Sequence, residues 1–191
     1  MQRVVFLIAP PGSGKGTQAK LLQVAGFSVL EMSAVLRKRV TSTEKTIGGG
    51  GLVDCFVVIE ALKGHLEEVP LDHDVVFDGF PRTKAQGIFA VEHFKKTHRD
   101  PTFVIIELSD EGCRKRVAGR REQAILLGIP PRKEDKEEVH EKRLKIYRKE
   151  IGPLQNYLHH NAQKSVHLVN GGLSIESTAT VIQEITSGIL V

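Results

Sequence analysis

The residues Ala9-Pro-Pro-Gly-Ser-Gly-Lys-Gly-Thr17 combine a glycine-rich turn with a lysine and a hydroxyl. They follow the apolar run Val4-Val5-Phe6-Leu7-Ile8 and precede a stretch of helical character from Gln18 to Gln23. A strand, a tight glycine turn and a helix in that order make a phosphate cradle. Successive backbone N–H groups converge there, and the helix N-terminus adds partial positive charge. Pro11, Gly12, Ser13, Gly14, Lys15, Gly16 and Thr17 form the candidate cradle. Lys15 would reach the terminal phosphates, and Thr17 would offer its hydroxyl to Mg²⁺. Ala9 stands where such loops usually begin with glycine. A plain strand-to-helix turn is the alternative, and the flanking elements weigh against it.

The second chemically loaded stretch is Val75-Val76-Phe77-Asp78-Gly79-Phe80-Pro81-Arg82-Thr83. A carboxylate at the end of a buried strand beside a phosphate loop is placed to hold hydrated Mg²⁺, so Asp78 joins Thr17 as the candidate metal pair. Strands often end with a turn-forming Asp, and that reading alone carries no function. Gly79 and Pro81 fix the turn that follows. Arg82 offers a bidentate fork for a second phosphate, and Gln86 offers an amide to a base edge. Further cations lie at Arg37, Arg120, Arg132 and Arg143. An anionic acceptor and a triphosphate repel each other, and phosphoryl transfer relies mainly on positioning and charge neutralisation. No Ser-His-Asp or paired acid-base constellation stands out. The 8 histidines show no metal spacing, and His159-His160 read as a helix end.

These residues need a scaffold. Five apolar segments are expected as strands: Val4–Ala9, Phe27–Leu30, Val75–Asp78, Phe103–Leu108 and Val166–Val169. Several are rich in Val, Ile and Phe without alternation, as parallel strands buried on both faces tend to be. Helices are expected over Gly14–Val24, Asp54–Glu68, Lys84–Thr97, Asp110–Arg120, Lys133–His160 and Ser174–Ile189. The alternation predicts an α/β domain: a doubly wound sheet of about five parallel strands flanked by helices, with ligands outside the carboxyl ends of the strands. Ala9 and Asp78 both fall at such ends.

Two stretches interrupt the alternation. Residues 31–69 contain Gly48-Gly49-Gly50-Gly51, expected as a hinge or as a slack surface loop. Residues 121–131, flanked by arginines and closed by Pro130-Pro131, read as a short lid that would keep water out. Lys133, Lys136, Lys142, Lys145 and Lys149 read as a solvated face, with Glu138–Lys142 and Glu141–Lys145 spaced for helical ion pairs. Arg143 is set apart from them because a guanidinium suits bidentate phosphate contact.

At 191 residues the chain suits one domain, 1–191, able to bury a sizeable core. Apolar runs are too short for a membrane span, and Met1 leads almost directly into the first strand, so no targeting segment and a cytoplasmic location are expected. Cys55 and Cys113 have no partners at metal spacing and read as packed small side chains. Residues 114–149 carry 13 Lys and Arg against 6 Asp and Glu, a balance that fits polyphosphate substrates or nucleic acid. Without an aromatic stacking platform, nucleic acid is the weaker reading. A monomer is the default expectation.

The two motifs, in order and at these separations, resemble the nucleoside monophosphate kinases, and most closely the adenylate kinases of short-lid type. The resemblance runs from Val4 to about Ile185. It rests on Pro11-Gly-Ser-Gly-Lys-Gly-Thr-Gln18 and on Asp78-Gly-Phe-Pro-Arg-Thr83 with Gln86. Weaker matches are Leu36-Arg37, Gly51-Leu-Val-Asp54, Arg116-Val-Ala-Gly-Arg120, Arg132-Lys-Glu-Asp135, Arg143-Leu144 with Tyr147, and Pro153-Leu154. It implies a P-loop NTPase-type fold with a monophosphate-binding insertion at 31–69 and a lid at 121–131. It also implies transfer from Mg²⁺-bound ATP to a monophosphate. By the same resemblance, Lys15 and the loop amides hold the β- and γ-phosphates. Arg116 lies against the ATP adenine, which receives a backbone contact around Gly172. Arg37 and Arg82 clamp the monophosphate, with Val53 and Gly79 nearby and Gln86 reading its base. Arg120, Arg132 and Arg143 close over the transferring group.

Phe80-Pro81-Arg82-Thr83 with Gln86 resembles the version that reads AMP, and an amide suits adenine. AMP is therefore the expected acceptor, with CMP or UMP, or a nucleotide-binding protein of little kinase activity, as alternatives. The chain departs from the family pattern at Glu31-Met32-Ser33-Ala34. Ala34 replaces an acid, Met32 replaces a hydroxyl expected near the acceptor base, and Glu31 adds a charge beside it.

Overall fold

The computed structural model describes residues 3–40, 43–68, 73–99 and 101–188. Five parallel strands form one sheet in the order β2-β3-β1-β4-β5. They are β1 Val4–Ile8, β2 Ser28–Glu31, β3 Val75–Asp78, β4 Pro101–Glu107 and β5 Val166–Asn170. β1 is central, with Leu7 in register with Asp78 of β3 and Ile8 with Ile105 of β4. All its residues are buried because helices cover both faces. Val4, Phe6 and Ile8 enter one core while Val5 and Leu7 enter the other, the period-2 division of a strand.

The helices are α1 Lys15–Val24, α2 Met32–Arg39, α3 Glu44–Gly48, α4 Cys55–Glu68, α5 Lys84–Lys96, α6 Asp110–Leu126, α7 Glu137–Asn161 and α8 Ile175–Thr186. α1 and α8 close the smaller core through Ala19, Leu22, Ile182 and Ile185. α2, α4, α5 and α7 close the larger one through Leu36, Leu62, Phe94 and Leu158. There the Phe6 ring stacks with Phe77 and Phe103 at centroid separations of 4.6 and 5.0 Å, with Phe94 edge-on at 5.5 Å. Such pairs add about 0.5–1.5 kcal/mol each beyond area burial. They tie β1, β3 and β4 together, which fixes the phosphate loop after β1 against Asp78 at the end of β3.

Three helix starts were written into the sequence as hydroxyl caps. Thr83, Ser109 and Ser174 each accept the N–H three residues on, at 3.3, 3.1 and 3.1 Å. Elsewhere the elements differ from expectation. The 31–69 interruption is largely helical, holding α2 and α3 as well as α4; residues 41, 42 and 69 lie outside the described set. α6 does not stop at Arg120 but continues through Leu126, since Glu122, Gln123, Ala124 and Leu126 are good helix formers. Gly128, with φ of 66°, ends that run, so only the latter part of 121–131 is irregular. The helix expected from Lys133 opens as a 3₁₀ turn, Lys133–Asp135, before α7 proper. The last helix ends at Thr186, and Ile189 lies outside the described residues. No helix among the described residues is long and apolar enough to cross a membrane.

Candidate active site

The carboxyl ends of β1, β2 and β3 open into a cavity of about 590 Å³. One wall is the whole loop from Pro11 to Thr17. Opposite it stand Glu31 and Arg37, the Gly50–Leu52 turn, and Asp78, Gly79 and Arg82. Arg120, Arg132 and Arg143 complete it from α6, the following loop and α7. Five arginines besides Lys15 therefore line one space.

The loop is built by two positive-φ glycines, Gly12 at 87° and Gly14 at 92°. Gly12 is also required by close approach: a Cβ there would stand 2.9 Å from both the Cys113 carbonyl oxygen and Val117 Cγ2. α1 then starts at Lys15, so its N-terminus, the positive end of the helix dipole, lies at the loop that walls the cavity. Lys15 forms an ion pair with Asp78 and remains 20% exposed. Desolvation, reinforced by Arg82 and Arg143 and opposed by Glu31, pushes the Lys15 ammonium down to about 7. Arg82 opens onto the cavity yet is ringed by protein, and desolvation followed by Arg143 lowers it to about 10. Burial likewise lowers Arg143, with Glu134 and Asp135 opposing. Crowded cations with depressed affinities for protons describe a cavity shaped for an anionic occupant.

The Asp78–Gln86 turn positions Arg82. Its Nε donates to the Gly79 carbonyl at 2.7 Å, and its backbone N–H donates to Gln86 Oε1 at 2.7 Å. Gly79 must be glycine because its φ is 85° and a Cβ would lie 2.8 Å from Arg82 Nη2. Gln86 is 2% exposed and is not a wall of the cavity in this structure, because its oxygen is committed to that turn. Val53 is similarly set back, packing on the larger core, while its neighbours Gly51 and Leu52 line the cavity. Arg116 donates through Nη1 to the Ser13 carbonyl and through Nη2 to Gly171 at 2.6 Å and Leu173 at 3.4 Å. It thus ties the phosphate loop to the turn after β5, beside Gly172.

Arg120 donates through Nε to Asp135 Oδ2 at 2.8 Å and pairs with Oδ1 through Nη2, while Asp135 is 2% exposed. Nothing local in the sequence marks that partner, since Asp135 is one of 6 acids in residues 114–149. Glu141 pairs with Arg114 of α6 at 2.6 Å rather than with Lys145. The lysines expected as a solvated face are all exposed. Within the glycine run Gly49 is exposed while Gly50 is enclosed. Gly50 is buried against α7, and a Cβ there would meet the Val139 carbonyl at 2.9 Å and Arg143 Cγ at 3.0 Å. Met32 is 2% exposed in the larger core, on the inner face of α2. Ser33 Oγ donates to Glu31 and receives a long contact from Arg37 Nη1 at 3.5 Å.

The adenylate kinase family model matches residues 7–163, spanning both motifs and every arginine of the cavity. The chain belongs to the adenylate kinase family. An adenylate kinase from Methylorubrum extorquens (strain PA1) is 34% identical over 167 residues, covering 80% of this chain and 81% of that protein. One from Jannaschia sp. (strain CCS1) is 33% identical, covering 95% and 97%. One from Leptospira biflexa is 32% identical, covering 97% and 100%. The adenylate kinase match begins within β1 and ends after α7, so it contains the scaffold of the site as well as its side chains.

Proposed function

We propose that the protein catalyses reversible phosphoryl transfer from Mg²⁺-bound ATP to AMP, giving two ADP. The observation that carries this reading is the convergence of Lys15, Arg37, Arg82, Arg120, Arg132 and Arg143 with a phosphate loop on one cavity. Six cations exceed what one triphosphate needs, and they match two anionic substrates facing each other. The loop amides and Lys15 would hold the ATP phosphates, and Arg37 and Arg82 the acceptor phosphate. Ser13 Oγ is buried without a hydrogen bond among the described residues, a need that a phosphate oxygen would meet.

An oxygen of the AMP phosphate attacks the γ-phosphorus of ATP. The bond from that phosphorus to the β,γ-bridging oxygen breaks, and the pair leaves with ADP. No general base is required, because the attacking oxygen is already ionised. Arg120, Arg132 and Arg143 would neutralise the charge shared by the two nucleotides during transfer. Arg120 must first exchange Asp135 for phosphate, which couples catalysis to movement of the α6–α7 connection. Residues 121–131 act as the lid in this reading, and 31–69 as the acceptor-side insertion.

The donors near the phosphates are the Thr17 hydroxyl and the Asp78 carboxylate, hard oxygens at the cavity wall that suit Mg²⁺ through water. Magnesium would supply charge neutralisation to the triphosphate when bound. In this reading Gln86, set behind the cavity wall and accepting from the Arg82 N–H, would present its amide to adenine only once the 78–86 turn shifts. Two unpaired cysteines accord with a cytoplasmic setting, and we take the acting unit to be a monomer. The test is transfer from Mg·ATP to AMP, CMP, UMP and GMP in parallel. Preference for AMP supports the assignment, and a pyrimidine preference would move the specificity away from it.

A further inference from the structure

His140 lies in the first turn of α7 and is only 3% exposed. Its Nε2 is buried without a hydrogen-bond partner among the described residues. A buried imidazole left unpaired costs stability that an apolar side chain would not. Its surroundings give it a purpose. A Cβ placed at Gly12 would stand 3.3 Å from His140 Cε1, in the notch also walled by the Cys113 carbonyl and Val117 of α6. The ring is therefore the α7 side of the socket that seats the first turn of the phosphate loop.

We propose that His140 is a positioning residue for ATP: as a neutral imidazole it wedges the Gly12 turn against α6, and protonation in mildly acidic solution expels the ring and loosens the loop. The proposal rests on the phosphate loop being the ATP site.

Charged groups reach the ring from each packed element: Glu141 and Arg143 on α7, Asp135 in the 3₁₀ turn, and Arg120 on α6. At the loop the contact is Gly12, which has no side chain to compensate a proton. Burial is the largest influence and lowers the imidazole below its ordinary 6.5, with Arg143 next; Glu141 and Asp135 oppose, and Arg120 reinforces. The seated state therefore binds fewer protons than a state with the ring expelled. The seated form is undiminished above about pH 6.5, and its advantage falls by up to about tenfold per pH unit below that, down to the lowered value.

The test is kcat/KM for Mg·ATP from pH 5 to 8 in the wild type, His140→Leu and His140→Gln, each normalised to its own value at pH 7.5. The titration of the nucleotide itself is common to all three and cancels in the ratios. The wild type is expected to lose about threefold or more relative to both variants by pH 5.5, through KM for ATP rather than for the acceptor. NMR of the imidazole nitrogens should find the proton affinity of His140 below that of an ordinary imidazole, with a non-hydrolysable ATP analogue lowering it further. Parallel pH profiles with ATP binding intact would overturn the role of His140 alone. A His140 with the proton affinity of an ordinary imidazole or higher, or an analogue that raises it, would do the same. Loss of the analogue's binding at pH 7.5 in the wild type would overturn the ATP-site reading and this proposal with it.

Discussion

Replacing Gly12 by alanine tests how the phosphate loop is held. Gly12 has φ of 87°, in the left-handed half of conformational space, where an L side chain costs about 1–2 kcal/mol. Its Cβ would also sit 2.9 Å from the Cys113 carbonyl oxygen and from Val117 Cγ2. The first is backbone of α6 and the second belongs to a side chain only 4% exposed, so neither retreats freely. Overpacking of this kind costs about 1–3 kcal/mol. Together the two effects give about 2–5 kcal/mol, and in a domain of this size each 1 kcal/mol moves Tm by about 2–4 °C. Gly12→Ala is expected to lower Tm by about 4–20 °C and to reduce kcat/KM for ATP on the order of a hundredfold, since the loop shifts from its seat. Gly119→Ala is the control. It lies within α6 with nothing within 4 Å of the added Cβ, and the gain in helix propensity should stabilise by about 0.5–1 kcal/mol. Thermal unfolding followed by circular dichroism reads both. A Gly12→Ala protein melting within about 2 °C of wild type would refute the seating of the loop against α6.

Three further outcomes follow from the site. Lys15→Ala should abolish transfer while leaving the circular dichroism spectrum unchanged, and retained turnover would remove the phosphate-loop assignment. Arg82→Ala should raise KM for the acceptor far more than KM for ATP; equal losses in steady-state kinetics would mean the fork faces the other nucleotide. Arg120→Ala leaves the 2%-exposed Asp135 without its counter-ion and should cost about 3 kcal/mol by denaturant titration. Adding Asp135→Asn should restore most of that stability without restoring turnover, which separates the structural use of the guanidinium from its catalytic one.

Much of the scaffold could be read from residue order. The buried β1 run, the glycine turn and the Asp78 turn define themselves through local chemistry, and the strand–helix alternation needs no tertiary information. What escaped the sequence depended on long-range packing. That α2 turns Met32 into the core is settled by packing and has no local signal. Gln86 offered an amide on paper, and only the fold shows its oxygen bound to Arg82. The four glycines permitted a slack loop, yet the approach of Val139 is what Gly50 serves. α6 was expected to be too short because Gly128 and the prolines beyond it drew the boundary inward, although Arg121–Leu126 have good helix propensity. The ion pair of Arg120 with Asp135 joins two elements 15 residues apart, and no periodicity signals it.

The most direct measurement of the central claim starts from Mg·ADP alone and follows the ³¹P NMR spectrum. If two nucleotides meet in the one cavity and a phosphoryl group passes between them, ATP and AMP must appear in equal amounts with no inorganic phosphate. ADP that remains unchanged, or that yields AMP and inorganic phosphate, would contradict the account.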